Sequence, residues 1–114
     1  MKNMCEIIIP SKYHLIGAFH QKTYRFFPSI DDLTTTGSIY ISEGNNSTKD
    51  FLEKRKNDIV ILKNYKKEKL HRIDFIYRNT KSTFIRYKDI EIHLIDVEEE
   101  NVNTMFTHCL NTFL

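Results

Sequence analysis

Hydrophobic and polar positions change their period late in this chain. Up to Ile95 the apolar residues come in short runs of strand length, punctuated by turn residues. The runs "CEIIIP" and "KYHLIGAF" are separated around Pro10, and "TYRFF" is rich in aromatic residues, which favour strands. Pro28 and "SIDDLTTTG" predict a loop, and "SIYIS" predicts a strand that stops at Gly44, where "EGNNS" is turn chemistry. Ser47 followed by Asp50 predicts a cap for a short helix through "TKDFLEKRK". "DIVILK" is apolar on both faces and predicts a buried strand, after which "NYKKEK" reads as a charged loop. "LHRIDFIYR" and "TFIRYK" flank "NTKS", a connection short enough for an antiparallel hairpin. "DIEIHLID" alternates, with Ile90, Ile92 and Leu94 on one face and Glu91 and His93 on a face expected to meet solvent.

After Ile95 the spacing becomes helical. Val102, Met105, Phe106, Cys109, Leu110 and Phe113 fall on one face. Asp96 and Glu99 have the form of a capping box, and Glu98 to Glu100 suit the positive end of a helix dipole, so a helix is expected from near residue 97 to the last residue. The pattern predicts an α+β fold of six or seven antiparallel strands, a short mid-chain helix and a terminal helix. Such a sheet leaves one end of its core uncovered. Val102, Phe106, Cys109, Leu110 and Phe113 form the stripe that would cap it. This order resembles the pleckstrin-homology superfold, a partly open barrel or sandwich closed by a helix.

With 114 residues the chain suits one domain, residues 1–114, with an adequate but not large core. Apolar content of 40% and charged content of 28% are those of an ordinary globular protein. A net charge of +2 is too small to argue by itself for nucleic acid or a membrane surface. The apolar runs are too short to span a bilayer, and "MKNMCEIIIP" lacks the apolar core and cleavage site of a signal peptide. Cys5 and Cys109 read as two free thiols in a reducing compartment, nucleus or cytosol.

The sequence holds no recognisable catalytic constellation. His14, His20, His71, His93 and His108 form no HxxxH or HExxH pair, and no CxxC is present to hold zinc. Gly17, Gly37 and Gly44 lie too far apart for a phosphate loop, and Ser42 in "ISEG" lacks the glycine that precedes a nucleophile elbow. The expectation is a protein that is not an enzyme and uses neither cofactor nor metal.

Two surfaces invite a binding role. Lys54, Arg55, Lys56, Lys63, Lys66, Lys67, Lys69 and Arg72 form a basic segment over residues 54–72 that would suit phosphoinositide or nucleic acid. Its bland reading is a solvated helix end and a loop tip, diluted by Glu53, Asp58 and Glu68. Lipid-reading pleckstrin-homology domains cluster basic residues around their first hairpin, where this chain offers only Lys12, Lys22 and Arg25. The second surface is the hairpin over residues 70–88. If Ile73, Phe75, Tyr77, Ile85 and Tyr87 point inward, an outward face mixes the apolar Ile76 and Phe84 with Arg72 and Arg86, a hot-spot composition. The swapped assignment stays open, because both faces carry apolar residues. So does a second mode, in which an extended peptide adds as a strand to an open sheet edge.

One family resemblance joins these readings. "SIYISEGN", the short polar helix, the hairpin, "IEIHLID" and "EENVNTMFTHCLNTFL" resemble the amino-terminal domain of a meiotic double-strand-break accessory protein family, the pleckstrin-homology-like subunit of the Rec–Mei–Mer complex. The matching positions are Tyr40, Ile41, Ser42 and Gly44, then Ile90 to Leu94, Glu98 to Glu100 and Cys109, within residues 38–114. Where that pattern has an apolar strand before "SIYIS", this chain has "DLTTTG". Family members extend through a flexible region to carboxy-terminal helices, so this chain would correspond to the domain alone. The resemblance implies a monomeric docking module, nuclear and chromosome-associated, without membrane or direct DNA contact. Its partners would be short segments of meiotic recombination proteins, the topoisomerase-like DNA-cleaving subunit or other accessory factors.

Overall fold

The computed structural model describes residues 9–18, 23–28, 37–44 and 47–114. They contain β1 (Tyr13–Ala18), β2 (Thr23–Pro28), β3 (Ser38–Glu43), α1 (Ser47–Lys54), β4 (Ile59–Lys67), β5 (Leu70–Tyr77), β6 (Thr80–Tyr87), β7 (Ile90–Ile95) and α2 (Glu99–Phe113). All strand pairs are antiparallel, and the seven described strands form one sheet in the order β1-β2-β3-β7-β6-β5-β4. This is an α+β protein with a C-terminal helix. The strands make a single continuous hydrogen-bonded sheet. Two meanders build it: β1 to β3, and β4 to β7. The chain passes from β3 at the centre through α1 to β4 at an outer edge, and β7 then returns to pair with β3.

The core lies between the sheet and α2. Ile39 and Ile41 of β3, Leu70 of β5, Ile85 of β6, and Ile90, Ile92 and Leu94 of β7 meet Val102, Met105, Cys109 and Phe113, with Tyr13 at the rim. Phe106 and Leu110 flank this stripe, partly buried against it. The Phe113 ring stacks on Tyr87 with centroids 4.5 Å apart. The helical period thus places the whole apolar stripe on the sheet. Its start differs from expectation. Asp96 sits in the left-handed region at φ 54° and its N–H donates to the Lys81 carbonyl at 2.9 Å, which removes it from the capping position. Glu98 is the N-cap, without a side-chain cap bond, and Glu99 and Glu100 supply the acidic first turn.

Nearby, Gly37 holds φ 86°, and a Cβ there would collide with the backbone of Ile95 and Asp96.

The opposite face of the sheet is covered too. Phe51 of α1 packs edge-on against Tyr77, Phe84 and His93 and tilts against Phe75. The side of β7 expected to meet solvent therefore holds a buried Glu91 and a largely enclosed His93. Strict alternation correctly separated the two faces of β7 but could not show that a helix eight residues long returns to cover the polar one. The hairpin between β5 and β6 turns through Arg78 and Asn79, at φ 52° and 62°. That tight turn sets Tyr77 opposite Thr80 and hence Ile73 opposite Phe84.

The largest departure concerns "DIVILK". It forms the first part of β4, an outermost strand whose residues are nearly all exposed. The segment expected to be a charged loop continues the same strand as far as Lys67. Cys109 is a buried free thiol, pushed up to about 11 by burial, and Cys5 lies outside the described residues. No helix of the described residues is long and apolar enough to cross a membrane.

Candidate functional site

The sheet register decides the fate of the expected hairpin face. Arg72 pairs with Ile85 and Ile76 with Lys81, which puts Arg72 and Ile76 on the α2 side. Phe84 and Arg86, opposite Ile73 and His71, lie on the α1 side. The four residues do not share a surface. Arg72 is buried and donates from Nε and Nη2 to the two carboxylate oxygens of Asp74 at 3.0 and 2.9 Å. Its Nη1 donates to Asn103 of α2 at 3.1 Å, and its guanidinium lies 4.9 Å from the centre of the Phe106 ring. Burial alone would raise the Asp74 carboxyl. Hydrogen bonds from Arg72 and Thr83, with the charges of Arg72 and Lys63, outweigh it and hold the group below its ordinary value. Arg72 therefore clamps α2 to the sheet. Ile76 is half-buried, and Phe84 is buried beneath Phe51. Arg86 is half-buried and pairs with the buried Glu91 at 3.0 Å.

The two-residue turn at Arg78 and Asn79 sets Ile73 opposite Phe84, so both point the same way and the mixed face does not form.

The basic segment 54–72 also divides. Arg55 stacks over the Phe51 ring at 4.3 Å and Arg72 is in its clamp. Lys54 and Lys56 end the α1 region, Lys69 sits in the turn after β4, and Lys63, Lys66 and Lys67 lie along β4. Half of the six lysines thus lie along a strand edge, while the others sit at the helix end and in a turn, as the bland reading has them.

That edge is the feature with binding character. β5 is the only strand beside β4 among the described residues, so the outer side of β4 presents unpaired backbone groups. Val60, Ile61 and Leu62 are 60%, 51% and 51% exposed, a contiguous apolar stretch. A bulge between Ile61 and Lys63 displaces Leu62 from the ladder. Tyr65 meets Phe106 edge-on, which anchors the far half of the strand to α2. Long exposed apolar edges template pairing with another chain, and soluble proteins ordinarily shorten or charge them.

Beside this edge, on the α1 side, opens a cleft of about 580 Å³. Lys49 and Leu52 of α1 form one wall and Lys66 of β4 another; His71, Ile73, Phe84 and Arg86 of β5 and β6 form the floor. Asn64 Oδ1 accepts from His71 Nε2 at 2.7 Å. Burial first, then the charge of Lys66, keeps the imidazole below its ordinary pKa. Among the described residues, no group of three His, Cys, Asp or Glu side chains is placed to hold a metal ion.

No protein-family model, curated protein or solved structure matches this chain.

Proposed function

We propose that this chain is a non-enzymatic protein-docking module that captures an extended segment of a partner on the outer edge of β4. The observation that carries this reading is the exposed run Val60–Leu62 on a strand that, among the described residues, is paired on one side only. Backbone pairing would supply much of the affinity, and alternate side chains of the segment would reach the two faces of the sheet. The face formed by Arg72, Ile76, Phe84 and Arg86 gives way to this edge, because those residues point to both sides and two of them are buried.

A pleckstrin-homology-like classification belongs to the same proposal. Its support is the element order, antiparallel strands closed by a C-terminal helix that lies on the core. The meiotic setting, with nuclear and chromosomal residence and recruitment of the topoisomerase-like machinery, rests on the resemblance of residues 38–114 described above.

The test is calorimetric binding of fragments from candidate meiotic partners to the parent and to a Val60→Lys/Leu62→Lys double variant. Lysines on an edge block strand addition while exposed positions contribute little to folding. Loss of binding with an unchanged melting temperature is expected. Unchanged affinity in the folded double variant would remove the edge. Binding to anionic vesicles or DNA that collapses between low and physiological salt would favour the lysines as a phosphate-reading surface instead.

A further inference from the structure

β4 changes character along its length. Apolar Val60, Ile61 and Leu62 are followed by Lys63, Lys66 and Lys67. The register divides these lysines by face. Lys63, opposite Asp74, and Lys67, opposite Leu70, lie on the α2 side; Lys66, opposite His71, lies on the α1 side. Lys63 is within electrostatic reach of Asp74. Lys66 instead lines the cleft with Lys49, and neither has a carboxylate partner among the described residues. Arg86 in the same cleft is engaged by Glu91, and His71 is held neutral near pH 7 by burial and by Lys66. Two lysine charges thus line a cleft whose apolar surface comes from Leu52 of the wall and Ile73 and Phe84 of the floor. Charge interactions strengthen where apolar walls lower the local dielectric.

We propose that the cleft between α1 and β4 seats an acidic side chain of the segment that pairs with β4, and that this segment is apolar opposite Val60–Leu62 and acidic opposite Lys63–Lys67. The inference rests on the strand-addition reading and specifies the partner's chemistry. A glutamate suits the mouth of the cleft: from a strand beside β4 its carboxylate meets the long side chain of Lys66, the cleft residue on the adjacent strand, with Lys49 of the opposite wall adding its charge. Side chains of an added strand alternate between faces, so neighbouring acids on the segment face Lys63 and Lys67 on the α2 side. A run of acids, not a single one, is the complement. A second copy of this chain is a poor occupant. Antiparallel pairing of β4 with itself over its full length, about Lys63, sets Lys63 against Lys63 and the apolar end against Lys66 and Lys67; pairing about Ile61 matches the apolar residues but covers only Ile59 to Lys63 of the strand, and parallel pairing in register lines lysine beside lysine.

Short synthetic peptides with one common apolar half and a glutamate-, glutamine- or lysine-rich second half provide the probe, with calorimetric titration at low and physiological salt. The glutamate peptide should bind about tenfold more tightly than the glutamine peptide, and the advantage should shrink with salt. In a Lys49→Gln/Lys66→Gln variant that advantage should shrink to the part held by Lys63 and Lys67, while the glutamine peptide binds as before, and an undiminished advantage would remove the cleft from the proposal. Equal binding of the glutamate and glutamine peptides to the parent would overturn the acidic complement and leave the edge reading intact. Absence of binding by any peptide would overturn both. Glutamate-peptide binding that survives Val60→Lys/Leu62→Lys would show the cleft acting without the edge, and would overturn the paired-segment geometry. Sedimentation showing a parent dimer abolished by the same edge variant would make a second copy the occupant and refute the proposal.

Discussion

His93 should make this fold fragile in mild acid. The imidazole is largely enclosed, its ring 4.0 Å from that of Phe84 and within 6.3 Å of Phe51, Phe75 and Tyr40. Its Nε2 is buried without a hydrogen-bond partner among the described residues. Burial lowers its pKa from 6.5 to about 4. In the unfolded chain the ring returns to its ordinary value, so between these two pH values the unfolded state binds the additional proton. Stability then rises with pH across that window and is lost as pH falls. A displacement of this size corresponds to about 3 kcal/mol, of which roughly 2 kcal/mol is lost between pH 6.5 and 4.5. The assay is urea unfolding at several pH values in that interval, on the parent and on His93→Phe, which keeps an aromatic ring in the cluster. Asp74, with its lowered pKa, exerts its main effect at more acid pH, and His71 remains in both proteins as a common background. The parent should lose about 2 kcal/mol more than the variant. Parallel pH profiles would show that His93 is hydrated or partnered in the folded state, and would refute the reasoning.

Two further perturbations probe the α2 side. Met105→Ala, at the fully buried centre of the helix stripe, should cost about 2–5 kcal/mol, and Leu110→Ala, at the flank, distinctly less; thermal melts that rank them the other way would misplace the helix. Asp74→Ala leaves Arg72 buried without its carboxylate and should cost about 3–5 kcal/mol, whereas replacing both with similar-sized apolar residues should recover much of that loss, as read by chemical denaturation.

Much of this architecture was legible in the residues because the relevant signals are local. The spacing of Val102, Met105, Cys109 and Phe113 fixes a helix and its buried face without knowledge of its partner. The alternation of Ile90, Ile92 and Leu94 likewise identifies the core side of β7. What escaped depends on position in the sheet. Val60, Ile61 and Leu62 have the composition of a central strand, and only the excursion through α1 to the far side makes them an edge. Glu91 and His93 read as solvated because Phe51, distant in sequence, is what covers them. Arg72 looked like a surface anchor since its partner Asp74 lies two residues along the same strand and Asn103 on a helix further on. Burial of a charged pair is a tertiary property, and no period reports it.

The return of β7 to β3 has a kinetic corollary. Pairings within β4 to β7 join neighbours across tight turns, so their loops close at small entropic cost. The ladder from Ser38 opposite Ile95 to Glu43 opposite Ile90 instead encloses the whole second meander. Contacts so distant along the chain raise the contact order, which slows folding of the sheet as a whole. The middle of the sheet is accordingly where loop closure costs most: the ladder of β3 and β7 joins the two meanders, one of them carrying the open β4 edge, and completes the hydrophobic bed on which the terminal helix rests.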